Sequence, residues 1–263
     1  MNQNRVKRIL KEGGLALGGH IGSMGGISMV EIIGHAGFDA VFIDMEHTAY
    51  DLQDVQVMIV AAERIGITPI VRTPGFDPAF ILRILDMGAQ GIQVPHIGGA
   101  AEARAAVQAV RYPPLGDRGM MGSSRAADYG KLPTLRHMEE SNREITLTVM
   151  IEDLKALEEI DAIASTEGVD IVAVGPSDMT RALGTSGRPD DPKMAETVHR
   201  VAEIIRKSGN ARMAFPVSHP AFPLSIAQLK ALGVGYSNCP PAPETVLLRA
   251  MTQQVAELRR QMG

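Results

Sequence analysis

Apolar, often β-branched runs alternate with amphipathic stretches along the whole chain. The runs predict strands at residues 15–21, 40–45, 69–73, 91–96, 146–152, 169–175, 211–217 and 233–237. The stretches between them repeat their apolar positions at helical spacing and predict helices at 29–36, 52–65, 79–87, 100–110, 154–164, 193–207, 224–232 and 244–261. Several strands are apolar at consecutive positions, as in Ile171-Val172-Ala173-Val174, which suits burial on both faces. Strand and helix in alternation imply parallel βαβ units.

Punctuation agrees with that division. Asp51, Asp77 and Asp153 stand where helix N-caps belong, and Gly37, Gly66, Gly88 and Gly233 follow helical runs as C-terminal glycines do. Pro78 takes a first helical position, where its missing N–H costs nothing. Ser28-Met29-Val30-Glu31 has capping-box spacing and predicts Ser28 as the cap of the first helix. Eight such units in about 250 residues is the size of a (β/α)8 TIM barrel, an α/β fold. A doubly wound sheet is the alternative, but the glycines between Gly18 and Gly26 lack the G-x-G-x-x-G spacing. No Pro- or Ser-rich linker divides the chain, so residues 1–263 read as one barrel domain. The piece from 112 to about 142 reads as one long loop with a short helix.

Composition narrows the partners. Lys+Arg of 26 against Asp+Glu of 30 gives a net charge of −4, which leaves no electrostatic footprint for nucleic acid. Cys239 is the one cysteine, which excludes an intrachain disulfide framework and any multi-cysteine metal site. No run of about 18 uncharged apolar residues predicts a membrane span. Residues 2–12 carry charges where a signal peptide has an apolar region. The expectation is a cytoplasmic globular protein that partners neither nucleic acid nor membrane.

Active sites of such barrels lie at the C-terminal ends of the strands. Predicted strands two to seven end in ionisable groups: Asp44-Met45-Glu46-His47, Arg72, His96, Glu152-Asp153, Asp178 and His219. Asp153 reads as an N-cap, which leaves Glu152 as the inward carboxylate. Glu152 and Asp178 together put two oxygen ligands on adjacent strands, a seat for a hard divalent cation that keeps waters or substrate oxygens. Asp178 alone reads equally well as a turn cap. Arg72 ends the apolar run Pro69-Ile70-Val71 and can offer fixed donors to a carboxylate or a developing oxyanion. A structural ion pair with Asp44 or Glu46 is its other reading. His47 is the general-base candidate, because histidine ordinarily titrates near neutrality. His20, His96 and His219 either face the same mouth or are ordinary polar residues. Asp86, late in its helix, points away from the mouth of its own subunit and serves solvation. None of the seven lysines falls in a predicted strand, so Schiff-base chemistry lacks a nucleophile, and Cys239 has no base partner.

Between about residues 38 and 184 six motifs follow one another. They are Phe42-Ile43-Asp44-Met45-Glu46-His47, Val71-Arg72-Thr73-Pro74 with Asp77-Pro78, and Asp86-Met87-Gly88-Ala89-Gln90-Gly91. Then come Arg111-Tyr112-Pro113-Pro114-Leu115-Gly116 with Arg118-Gly119, Ile151-Glu152, and Gly175-Pro176-Ser177-Asp178. In this order they resemble the HpcH/HpaI aldolases, metal-dependent pyruvate aldolases that include 4-hydroxy-2-oxoheptanedioate aldolase. The resemblance implies a (β/α)8 barrel whose last helix is exchanged between subunits, usually in a homohexamer built as a trimer of dimers. It implies that Glu152 and Asp178 hold Mg2+, Mn2+ or another divalent ion such as Co2+, which pyruvate chelates through a carboxylate oxygen and its 2-oxo oxygen. Arg72 and the metal then stabilise the enolate, and His47 serves the proton transfers. Backbone N–H groups around Ser177 and Asp178, in the Gly175-Pro176 turn, receive the carboxylate. Asp86 corresponds to a residue that pairs with the histidine of a neighbouring subunit, which replaces the solvation role. The implied reaction is reversible cleavage of a 4-hydroxy-2-oxo acid to pyruvate and an aldehyde.

Three departures bear on the substrate. Family members usually carry Gln two positions before the metal glutamate, where this chain has Met150. The first strand ends in Gly18-Gly19-His20 in place of larger apolar residues, and Ser237-Asn238-Cys239-Pro240-Pro241 replaces a small-residue run. Citryl- or malyl-CoA lyases share the fold and metal logic, but no basic cluster provides for a CoA pyrophosphate. A catalytically silent keto-acid-binding barrel is a third reading, against which every presumed catalytic group is present. The last helix carries Val246, Leu247, Leu248, Ala250, Met251, Val255, Ala256 and Leu258, a wide apolar stripe, and Pro240, Pro241 and Pro243 favour an extended exit before it. The pattern suits packing on its own barrel or on a neighbour; the resemblance favours the neighbour.

Overall fold

Strands buried on both faces need partners on both sides, and the chain meets that need by closing its sheet. In the computed structural model, which describes residues 3–262, eight parallel strands pair in sequence order and the last returns to the first. They are β1 (Ala16–Ile21), β2 (Ala40–Asp44), β3 (Thr68–Arg72), β4 (Gly91–Val94), β5 (Thr146–Ile151), β6 (Ile171–Val174), β7 (Arg212–Ala214) and β8 (Val234–Cys239). All eight predicted strands form. Residues 1, 2 and 263, which the predicted 1–263 domain and the N-terminal reading include, lie outside the described residues.

Alternation along each strand divides two cores. Val41, Ile43, Val71, Ile92, Val94, Val149, Ile151 and Val172 pack with the surrounding helices. Ala40, Phe42, Ile70, Met150, Ile171, Ala173, Ala214 and Tyr236 fill the barrel interior. The outer ring is α2 (Ile27–His35), α3 (Leu52–Ile65), α4 (Pro78–Asp86), α5 (Ala100–Val110), α7 (Leu154–Glu158), α8 (Ile160–Ala164), α10 (Pro192–Ser208) and α11 (Ile226–Ala231). The long loop after α5 holds a 3-10 turn (Arg125–Gly130) and α6 (Thr134–Glu144), and α9 (Pro176–Ala182) follows β6 directly.

The predicted caps hold at Asp51, Asp77 and Asp153, each accepting from first-turn N–H groups. Gly66 ends α3 in the left-handed region at φ 80°, which a side chain would strain. Two expectations need correction. Ser28 caps nothing: α2 begins at Ile27, after Gly26, whose φ of 110° turns the chain instead. The helix predicted at 154–164 is two short helices broken at Glu159.

α1 (Arg5–Lys11) was not expected. It places Val6 and Leu10 in the interior core and closes the N-terminal end of the barrel. Asn4 pins it there. Its amide donates to Gln90 O at 2.8 Å, Glu144 O at 2.7 Å and Thr146 Oγ1 at 2.9 Å, while its Oδ1 accepts from Lys7 N. Each such bond is worth about 0.5–1.5 kcal/mol net. With that end plugged, the barrel opens only through its other end.

The last helix, α12 (Pro243–Gln261), buries none of its residues, and Val246, Leu248, Met251, Val255 and Leu258 are all exposed. It does not pack as an ordinary eighth barrel helix. Among the described residues no helix is long and apolar enough to cross a membrane.

Candidate active site

The open end holds a cavity of about 250 Å3. Its lining includes His47, Arg72, Gly175, Pro176, Ser177 and Asp178 from the predicted set. His20, Phe42, Gln93, Met150, Ala173, Ala214, His219, Tyr236 and Asn238 complete much of the wall. The small side chains of Ala173 and Ala214 leave the space. Among the described residues no lysine lines it.

Arg72 ends β3 in register with Asp44 at the end of β2. Its Nε donates to Asp44 Oδ1 at 2.8 Å and its Nη2 to Oδ2 at 2.6 Å, with Nη1 2.9 Å from Glu46 Oε2. Both structural ion pairs considered for Arg72 therefore exist, and the guanidinium still faces the cavity. Burial would raise the Asp44 carboxyl, yet the His20 ring 3.8 Å away and the Arg72 fork hold it well below the usual carboxylate range. His20 also meets Phe42 edge-on, 5.4 Å between ring centres.

Glu152 lies just past β5 and is 4% exposed. Its Oε1 accepts from the His96 backbone N at 2.9 Å and lies 3.0 Å from His96 Nδ1. The other ring nitrogen of His96 is 2.8 Å from Glu46 Oε1, so this histidine bridges two carboxylates from a left-handed backbone position at φ 57°. Gly175 is the cradle behind them: a β-carbon there would fall 2.5 Å from Met150 Cε and 2.8 Å from Glu152 Oε2.

Burial raises the Glu152 carboxyl, the His96 N–H opposes that, and the charges of Glu46 and Asp178 add to the rise. The corner is thus rich in carboxylate charge. A hard divalent cation fits this donor set, since it takes two protein oxygens and fills its shell with waters or substrate oxygens. Among the described residues no group of three or more His, Cys, Asp or Glu side chains is arranged to hold a metal by itself. Asp178 Oδ1 accepts from Arg181 Nη2 at 2.9 Å.

Of the remaining candidates His47 and His219 line the same cavity, whereas Asp86 ends α4 and is not among the lining residues. His47 stands at the rim, its side chain 66% exposed and Nε2 3.8 Å from Glu46 Oε2. His219 lines the wall with Nδ1 accepting from Ala221 N at 3.2 Å, and burial lowers its pKa. Asp86 is not a solvated helix end: its Oδ1 accepts from Arg118 Nη2 at 2.7 Å, and that arginine side chain is fully buried over the Tyr112 ring. Cys239 sits beside the mouth without a base.

Sequence reasoning missed Gln93, Tyr236 and Asn238 in the wall. Tyr236 OH donates to Asn238 Oδ1 at 2.6 Å. The signal for Gln93 was present: it is a lone amide in the otherwise apolar β4, between outward Ile92 and Val94.

A family model described as HpcH/HpaI aldolase/citrate lyase matches residues 26–221. A pyruvate aldolase of Rhizobium etli is 38% identical over 195 residues, covering 74% of this chain and 76% of that protein. A hydroxypyruvate/pyruvate aldolase of Paraburkholderia phytofirmans is 34% identical over 245 residues, covering 90% and 91%. Among solved structures, an HpcH/HpaI aldolase from Desulfitobacterium hafniense superimposes with a TM-score of 0.85 at 28% identity, over 96% of each chain.

Proposed function

The chain belongs to the HpcH/HpaI aldolase/citrate lyase family, and from that premise we propose that it cleaves a 4-hydroxy-2-oxo acid reversibly to pyruvate and an aldehyde. The observation that carries this reading is the mouth itself: Arg72 and Asp178 line a small cavity that no lysine lines, and the buried carboxylate of Glu152 lies behind its Gly175 wall, close enough to feel the charge of Asp178. Relatives named for pyruvate and hydroxypyruvate support the substrate class.

In the cleavage direction the C4 hydroxyl loses its proton and the C3–C4 bond breaks. Its electron pair moves to C3 and is delocalised onto the 2-oxo oxygen as an enolate, and the aldehyde departs. Protonation at C3 then gives pyruvate. Glu152 and Asp178 are assigned the divalent ion, which when bound supplies positive charge to the developing enolate. Arg72 adds a guanidinium whose direction Asp44 fixes beforehand, so little reorganisation is needed as charge develops. His47 at the rim is assigned the proton transfers. The first turn of α9 has N–H groups at Ser177 and Asp178 without helical partners, and these are assigned the substrate carboxylate.

Assembly belongs to the same reading. We infer that α12 seats its apolar stripe on a second copy, in a hexamer built as a trimer of dimers, and that Asp86 there meets a neighbour's His47. The exposed stripe and the partly exposed Asp86 carboxylate support it.

The test is turnover of a panel of 4-hydroxy-2-oxo acids, and of pyruvate with a panel of aldehydes, with and without a chelator. Activity that is lost on chelation and restored by Mg2+ or Mn2+ is expected. Full activity in a metal-free sample, or a borohydride-trapped pyruvate adduct on a lysine, overturns the assignment.

A further inference from the structure

Gln93 is 4% exposed, lines the cavity, and lies in register with Arg72 on the neighbouring strand. Register partners on adjacent parallel strands present their side chains side by side, so amide and guanidinium share one wall. The two flanking residues of β4, Ile92 and Val94, pack outward in the helix-facing core. Gln93 is thus the one position of β4 that puts hydrogen-bonding capacity into the cavity.

Its present partner is a poor one. The amide Nε2 donates to Met150 Sδ at 3.2 Å, and a thioether is a weak acceptor. A buried amide held only in this way is costly unless something better takes its hydrogen bonds. Met150 stands where the family usually carries Gln. The two positions touch across β4 and β5, and between them the chain keeps one amide and one apolar side chain. In this chain the amide stands on β4, the strand next to that of Arg72.

We propose that Gln93 is a substrate-binding residue, its amide leaving the Met150 sulfur to donate to an oxygen of the pyruvate unit beside Arg72. The pyruvate half is chosen over the aldehyde half because Gln93 is at the buried floor, next to the arginine assigned to the enolate. The aldehyde approaches from the open rim, where His47 stands. Gly175, Ala173 and Ala214 keep the opposite side small enough for a three-carbon acid to reach that floor. This inference rests on the aldolase reading.

The experiment compares wild type, Gln93→Leu and Gln93→Leu/Met150→Gln, in the presence of Mg2+. It measures steady-state condensation of pyruvate with an aldehyde and calorimetric titration with pyruvate alone. Gln93→Leu is expected to raise KM for pyruvate about three- to tenfold, the loss of one neutral hydrogen bond, and to weaken pyruvate binding equally. Its kcat and its KM for the aldehyde stay within about twofold, because ground state and transition state lose the same contact. Restoring an amide at 150 is expected to return KM for pyruvate to within about threefold of wild type. Gln93→Met serves where leucine lowers the melting temperature. Unchanged pyruvate KM and binding in Gln93→Leu, or an effect confined to the aldehyde KM, overturns the proposal. A wild type that binds pyruvate and turns nothing over sinks the aldolase reading, while the titration still decides Gln93. A wild type that neither binds pyruvate nor turns over sinks both.

Discussion

Arg72 and Asp44, in-register ends of β3 and β2, meet as a two-pronged buried ion pair, with Nε to Oδ1 at 2.8 Å and Nη2 to Oδ2 at 2.6 Å. One carboxylate thereby occupies the inner edge of the guanidinium and sets its plane. Nη1 leans on Glu46, and Arg72 lines the cavity. The pairing does not compete with a role in catalysis. On the proposed reading it is what aims the donors.

Arg72→Lys is therefore expected to keep the fold and lose most of the rate. A lysine returns a positive charge to Asp44, so the buried carboxylate is not stranded, but it has no planar fork to hold two partners and still reach the substrate. Loss of one oxyanion donor costs about 10²–10³ in kcat. Circular dichroism and melting confirm the fold, and steady-state turnover reads the effect. Near-normal turnover would show that Arg72 serves the ion pair alone.

Asp44 makes the same pair visible in acid. Its folded carboxyl lies below the ordinary value of about 3.9, so between the two pKa values the unfolded chain binds more protons and stability rises with pH. The contribution is complete above about pH 4 and disappears as pH falls through the folded value. Asp44→Asn leaves Arg72 facing Glu46 only, and is expected to cost about 3–5 kcal/mol near neutrality. Urea titrations from pH 2.5 to 7 should show the gap between wild type and variant constant above about pH 4 and narrowing below it. A gap that widens in acid contradicts the assignment.

Cys239 gives a prediction of inertness. Burial pushes its thiol up to about 11, the charge of Asp39 adds to the rise, and the contact with Ser237 opposes it only in part. At pH 8 its thiolate is roughly two hundredfold scarcer than that of an ordinary cysteine. Iodoacetamide should label the native protein at pH 8 slower by at least that factor than the urea-unfolded chain. Labelling within tenfold of the unfolded rate would mean that the thiol is activated after all.

Most of the barrel was legible because its signal is local. Ile171-Val172-Ala173-Val174 can be satisfied only between two apolar layers, and Asp51, Asp77 and Asp153 mark helix starts by hydrogen bonds that span two or three residues. What was missed depends on distant partners. α1 offers only Val6, Ile9 and Leu10 among basic residues, and its place as a plug comes from Asn4 reaching partners 86 and 142 residues away. Ser28 copied a capping box, yet the backbone of Gly26 made the turn first. From its own helix Asp86 reads as a solvated end, because its buried counterion, Arg118, lies 32 residues on. Read along β4 alone, Gln93 is only a lone amide. Its meaning lies in two neighbours across the sheet, Arg72 and Met150, that no window along the chain contains. The ionisable tips, by contrast, were readable because barrel geometry sends strand ends to one mouth.

The stripe on α12 tests the assembly. Eight strands need eight flanking helices, yet the segment after β8 buries nothing on its own barrel and leaves Leu248 66% exposed. Ile27 and Ile32 on α2 are exposed as well, an apolar strip on the barrel flank next to β1. Large exposed apolar surfaces on a folded chain mark places where another surface docks. Glu244, at the root of α12, accepts from Ser23 N at 2.9 Å and ties the loop after β1, so the cut must spare it. A chain ending at Thr245 keeps that bond and removes the stripe. It is expected to sediment as a smaller species than the full chain. It is also expected to lose turnover more than tenfold, because the assembly is assigned the contact between Asp86 and a neighbour's His47. If the shortened chain sediments with the same number of subunits and turns over normally, α12 is a passive tail and the exchanged-helix assembly is wrong.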